Sequence, residues 1–164
     1  MKRLLAAALL AATATYAHAH HDGDRFKVGD LMVSHAYAYE NAASAHATRV
    51  YMTIENTGAE ADRLIGASVD FAAKVVFEGQ TVDGEGTLSV TEVKAFGIAP
   101  GQTLTLQPGA MWIELEGVGR TFEHGEQFDM TLTFEKAGAV EIEVEIEEQP
   151  DAEGHGHDHD HGAS

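Results

Sequence analysis

Along most of its length this chain alternates apolar and polar residues with a period of two. The clearest case is Val140-Glu141-Ile142-Glu143-Val144-Glu145-Ile146, which sets aliphatic residues on one side of an extended strand and glutamates on the other. Phe128 to Phe134, Val50 to Glu55 and Thr87 to Val93 repeat the pattern, and shorter runs lie at Lys74 to Phe77, Leu104 to Leu106 and Met111 to Leu115. Turn phrases separate them: Asn56-Thr57-Gly58, Ala99-Pro100-Gly101-Gln102 and Gln107-Pro108-Gly109. No stretch carries a convincing helical period. Short strands at this spacing predict roughly seven to nine of them in an all-β antiparallel sandwich over residues 26–147, with the glutamates of the last strand on its wet face.

The two ends read differently. Lys2 and Arg3 precede an apolar run from Leu4 to Ala14, and Ala17-His18-Ala19 fits a small-x-small cleavage pattern. Residues 1–19 are therefore expected to be a secretory signal peptide with His20 as the mature N-terminus; the run is short for the competing reading, an uncleaved anchor. Residues 20–25 form a polar leader with two histidines. Pro150 stops the last strand, and residues 148–164 are expected to be a disordered, acidic, His-rich tail. No later apolar run reaches membrane length, so no span is expected after signal cleavage.

Loss of Lys2 and Arg3 takes the formal charge from −17 to −19. Such a protein is a poor partner for nucleic acid or anionic membranes and attracts cations. The absence of cysteine excludes disulfides, thiolate metal sites and blue-copper centres.

Metal ions are the partners that the histidines point to. His155, His157, His159 and His161 stand at every second position with Asp158 and Asp160 between them, and neutral imidazole is the commonest ligand for copper or zinc. A solvated polar tail or a purification tag is the bland alternative, and the interleaved Asp and Gly do not resemble a plain tag. His20 and His21 form a second candidate group, since a free α-amine, a backbone nitrogen and an imidazole chelate Cu(II). The candidate ligands are thus His155, His157, His159, His161, His20 and His21, with copper, as Cu(II) or Cu(I), the expected ion and zinc the second. His35, His46 and His124 read as surface or turn residues, His46 being the best placed for a supporting role. There is no nucleophile elbow, His-Glu-x-x-His helix or phosphate loop, so the chain reads as a non-enzyme. A copper enzyme built on His20, with a distant histidine from the core, is an outlying alternative.

Three groups of blocks carry a resemblance. They are Tyr51-Met52-Thr53-Ile54-Glu55-Asn56-Thr57-Gly58 continued by Ala61 to Ala67, Ile98 to Gln102 continued by Leu104, Leu106, Pro108 and Gly109, and Leu132 to Gly138. In this order they resemble the PCu(A)C family of periplasmic copper chaperones. The resemblance implies a cupredoxin-like Greek-key sandwich, export to the periplasm, and copper passed to a receiving protein such as a cytochrome oxidase assembly partner. It also implies a C-terminal extension that holds a further copper. The family's own Cu(I) site uses a His, a Met and a His-x-Met pair, which fall here at Glu78, near Val90, and at Trp112 and Glu114. None is kept, so the soft site is expected to be absent. Glu78 and Glu114 are then either a carboxylate pair for a harder ion or ordinary surface acids. Met111 is a substitute ligand or core filler, and Trp112 a packing residue or an exposed recognition aromatic. The function expected is a metallochaperone or metal buffer, and the alternative is a degenerate, protein-binding member of the family.

Overall fold

The computed structural model describes residues 25–41 and 46–150. These form eleven strands: β1 (Arg25–Val28), β2 (Leu31–Tyr39), β3 (Ala47–Asn56), β4 (Asp62–Ser68), β5 (Lys74–Val82), β6 (Leu88–Val93), β7 (Phe96–Ile98), β8 (Thr103–Leu106), β9 (Met111–Glu116), β10 (Gln127–Phe134) and β11 (Gly138–Glu147). No helix occurs among the described residues. His18, His20, His21, His155, His157, His159 and His161 lie outside them, as do the expected signal peptide and the segment from Asp151 onward.

The strands run in the order β6-β5-β9-β3-β2-β11-β10-β4-β7, with β1 added to β2 and β8 to β3. The sheet folds over so that its two ends face each other: the ring of Phe77 on β5 stacks 5.2 Å from that of Phe96 on β7. Between the layers lie the aliphatic residues that the alternation assigns inward, including Val50, Ile54, Ile113, Leu115, Leu132, Ile142 and Ile146, all 1% exposed or less. Burying each such side chain contributes about 1.5–3 kcal/mol. Glu141 and Glu145 of β11 are exposed on the opposite face.

The all-β sandwich stands, with more strands than the alternation reveals and with one parallel pair. β1 and β7 are too short for a period to show. Arg25, read as part of the leader, pairs with Ser34 and opens β1. β2 escapes notice because its alternation is interrupted: its register against β3 shifts between Ser34 and Tyr37, where His35 takes φ 51°. β2 and β11 run parallel, with Tyr37 opposite Glu145 and Tyr39 opposite Glu147, and this pair joins the two halves of the sheet.

Asp62 ties the far half together. It is 6% exposed and accepts backbone N–H groups of Arg63, Lys136 and Ala137 at 2.7, 3.0 and 2.9 Å, pinning the β10–β11 turn to β4. Burial alone would raise its carboxyl pKa; the three donors and the charge of Lys136 outweigh that and hold it below the ordinary value. A depressed carboxyl stabilises the fold above the unfolded pKa, near ~3.9, and the contribution is lost as pH falls through the lower folded value. Asp62→Ala strands buried donors and is expected to cost about 3 kcal/mol in urea unfolding at pH 7, the deficit shrinking below about pH 4. An unchanged midpoint at pH 7 would show that the turn is held by other means.

Candidate functional site

The outward face of the β5-β9-β3-β2 half carries the positions at which the resemblance expects copper ligands. Glu78 lies directly opposite Trp112 across the β5–β9 pair, and Glu114 is two residues farther along β9 on the same face. Val90 on β6 faces Gln80 of β5, which places it diagonal to Glu78 on that same side. The fold therefore gathers all four positions on neighbouring strands, and it fills them differently.

Trp112 is 2% exposed although it stands on an outer face, so it is a packed residue and not an exposed recognition aromatic. Its Nε1–H donates to Glu78 Oε2 and to Glu114 Oε2, both at 2.9 Å. Arg49, opposite Glu114 on β3, donates through Nε to the same Glu114 oxygen at 2.8 Å and lays its guanidinium 4.5 Å over the indole ring. Burial by itself would lower the Arg49 pKa, but the hydrogen bond and charge of Glu114 hold it above its usual value. One indole N–H thus fixes two carboxylates, and one cation pairs with Glu114 and covers the ring.

A group of phenols continues the face. Tyr37, Tyr39 and Tyr51 pack with ring centroids 5.2 to 5.8 Å apart. Burial, a hydrogen bond with Tyr39 and the nearby charges of Tyr39, Glu147 and Tyr51 push the Tyr37 phenol far above its normal range. Burial also raises that of Tyr51, which Arg49 only partly offsets. Both stay protonated at neutral pH in the metal-free protein. Beside them, Tyr39, Glu40, Asn41, Ala47, Arg49, Tyr51 and Gln149 line an open hollow of about 340 Å³, and here the chain leaves β11 toward its C-terminus.

The remaining candidates are dispersed. His46 is exposed and contributes its carbonyl, which accepts N–H bonds from Gly117 and Val118. His35 is exposed at the β2 bulge, and His124 is exposed in the turn before β10. Met111 packs against the core. Val90 is 52% exposed on the edge strand. Among the described residues no three His, Asp or Glu side chains are grouped closely enough to hold a metal ion. The sequence reading missed Arg49 and the three tyrosines. Their signal was present as Arg49-x-Tyr51-x-Thr53 and Tyr37-x-Tyr39, outward positions at period two, and it was obscured by the bulge in β2.

With this geometry in hand, comparison with known proteins is direct. Residues 31–146 match the family described as "Putative lipoprotein LpqE-like". No curated protein sequence matches. Among solved structures, the apo PCuAC domain from PmoF1 is 29% identical and superposes with a TM-score of 0.67, covering 76% of this chain and 99% of that domain. The copper-bound PCuAC domain from PmoF2 is 26% identical, with a TM-score of 0.65 and coverage of 76% and 98%. Apo-DR1885 from Deinococcus radiodurans, at 23% identity, shares the fold with a TM-score of 0.59 over 90% of this chain and 96% of that one.

Proposed function

The chain belongs to the LpqE-like family, and from that premise we propose that it is an exported copper-handling protein whose ion is held by histidines outside the sandwich. The observation that carries this reading is the Trp112–Glu78–Glu114–Arg49 network. It occupies the face where a PCu(A)C-type domain is expected to hold Cu(I), and it contains no thioether or imidazole. A structural relative is a copper-bound PCuAC domain, which supports copper as the ion. The chain's concentrated imidazole lies at His155, His157, His159 and His161, with His20 and His21 at the other end. Imidazole nitrogen suits Cu(II) and also Zn(II).

The mechanism is that of a chaperone or buffer. Several imidazoles on one segment exchange one at a time with the ligands of a receiving protein, so the ion moves without being released to water. The net charge of −17 raises the local concentration of cations around the chain. Export to the periplasm rests on the basic-apolar-small pattern of residues 1–19. The family description speaks of a lipoprotein, but this sequence has no cysteine thiol to carry a thioether-linked lipid. No helix among the described residues is long and apolar enough to cross a membrane. The reading is tested by calorimetric titration of the full chain with Cu(II) at pH 7. Binding at micromolar affinity or tighter supports it, and no detectable heat of binding overturns it.

A further inference from the structure

We propose that the open edge strand β6 is a docking surface for a second copy of this chain, which adds its own β6 in antiparallel register and continues the sheet across a two-fold axis. The inference is independent of the copper reading and goes beyond it.

Apolar exposure is concentrated at this edge. Four large apolar side chains are exposed among the described residues, and three of them, Val82, Leu88 and Val90, lie on the β5–β6 hairpin at 62%, 62% and 52% exposure. Val82 faces Leu88 and Gln80 faces Val90 across the pair, so the three share one side and form a stripe. Every residue from Leu88 to Glu92 is exposed, so the sandwich covers neither face of β6. A grouped apolar stripe of this kind marks an interaction surface.

The backbone of the same strand is unpartnered on one side. β6 ends the strand order and pairs only with β5. The bond from Asp83 N–H to the Thr87 carbonyl fixes the phase of the hairpin. Thr87, Ser89 and Thr91 therefore turn their backbone groups toward β5, and Leu88, Val90 and Glu92 turn theirs to the open edge. The opposite edge is guarded, since β7 has three residues and Pro100 follows shortly. β6 has no proline and no bulge, and its one charged side chain, Glu92, is engaged by Lys74 at 3.7 Å.

Charge selects the occupant. At a net charge of −17, two copies repel over most approaches, and this edge is where the repulsion is relieved. Antiparallel pairing centred on Ser89 sets Leu88 opposite Val90 of the second copy, Val90 opposite its Leu88, and Thr87 opposite its Thr91. It also brings the Asp83–Glu85 turn of each copy alongside Lys94 of the other. Lys94 and Glu85 are both exposed, and neither has an ion pair among the described residues. Asp83 builds the turn by accepting the N–H groups of Glu85 and Thr87. Two-fold symmetry forms the Glu85–Lys94 contact twice. Centring the pair on Val90 instead would set Leu88 against Glu92, so the apolar stripe chooses the register. One strand pair with one stripe makes a small interface, below about 1,200 Å², and a reversible dimer with Kd on the order of 10 μM is expected.

The test is sedimentation velocity on the full chain from about 1 to about 200 μM, with a chelator present so that no metal bridges histidines between copies. A monomer–dimer equilibrium within that range is expected. Val90→Lys, at a side chain already half exposed, is expected to weaken it at least about tenfold with an unchanged circular dichroism spectrum. Lys94→Glu is expected to weaken it at least about threefold, and adding Glu85→Lys to restore it, because the swapped charges meet again across the two-fold axis. A monomer at every concentration overturns the proposal and leaves the edge to a strand of a different protein. A dimer that survives Val90→Lys overturns it as well, as does a dimer indifferent to Lys94→Glu or one that the added Glu85→Lys fails to restore.

Discussion

The full chain with His155→Ala, His157→Ala, His159→Ala and His161→Ala is expected to lose at least about 100-fold in Cu(II) affinity at pH 7, or about 2.7 kcal/mol, with Zn(II) following the same trend. Histidines at every second position of an extended segment share one side, so several of the four imidazoles can reach one ion. Asp158 and Asp160 between them add attraction for the cation. A proton and a metal compete for the same nitrogen, so binding by the unmodified chain should weaken steeply as pH falls from about 7 to 5.5, through the ordinary imidazole pKa near ~6.5. The variant should show little of that pH dependence. Its metal-free unfolding should match that of the unmodified chain within about 0.5 kcal/mol, because the core consists of residues of the sandwich. Undiminished Cu(II) binding in the variant would relocate the ion, with His20 and His21 the next ligands to replace.

The second large effect concerns the sandwich itself. Glu78→His, Val90→Met, Trp112→His and Glu114→Met together are expected to raise Cu(I) affinity about a thousandfold or more, roughly 4 kcal/mol, in competition with a strong Cu(I) chelator. The four positions already share one face on neighbouring strands, with residues 78 and 112 directly opposed and residue 114 on the same side. What the face lacks is soft donors, and thioether with imidazole supplies them. The change also removes the ring that Arg49 covers and the carboxylate it pairs with, freeing its guanidinium to turn to solvent. If the fourfold variant folds and binds Cu(I) no better than the parent, these positions do not form the site.

The same residues show how far the sequence was legible. Strands β3, β5, β8, β9, β10 and β11 could be read because buried residues alternate with exposed ones along them, and β6 shows the same alternation in sequence although it lies exposed at the sheet edge. β2 could not, since the extra residue at its bulge reverses which side chains face inward and makes L-M-V-S-H-A-Y-A-Y look irregular. β1 and β7, at four and three residues, hold two periods at most. The parallel join of β2 to β11 links segments about a hundred residues apart and depends on tertiary packing alone. At the site, the resemblance placed Glu78, Trp112 and Glu114 together, and the structure does gather them. That an indole N–H bridges the two carboxylates under Arg49 was not legible, because it depends on rotamers and on cross-strand register. The histidine-rich ends lie outside the described residues, and their part in the account rests on composition and spacing.

The central claim is that copper in this protein is bound by nitrogen and oxygen and not by the soft set expected of the sandwich. The measurement that tests it most directly is X-ray absorption at the copper edge on the full chain loaded with one equivalent of copper. The account predicts nitrogen and oxygen in the first shell, the multiple scattering typical of imidazole, and no sulfur. The chain has no cysteine, and of the methionines in the sandwich Met52 and Met130 are 1% exposed, Met111 packs against the core and Met32 is half-buried on β2, two strands away from the Glu78–Trp112 pair. A sulfur neighbour at bonding distance would contradict this, since it would mean that a methionine of the sandwich holds the ion.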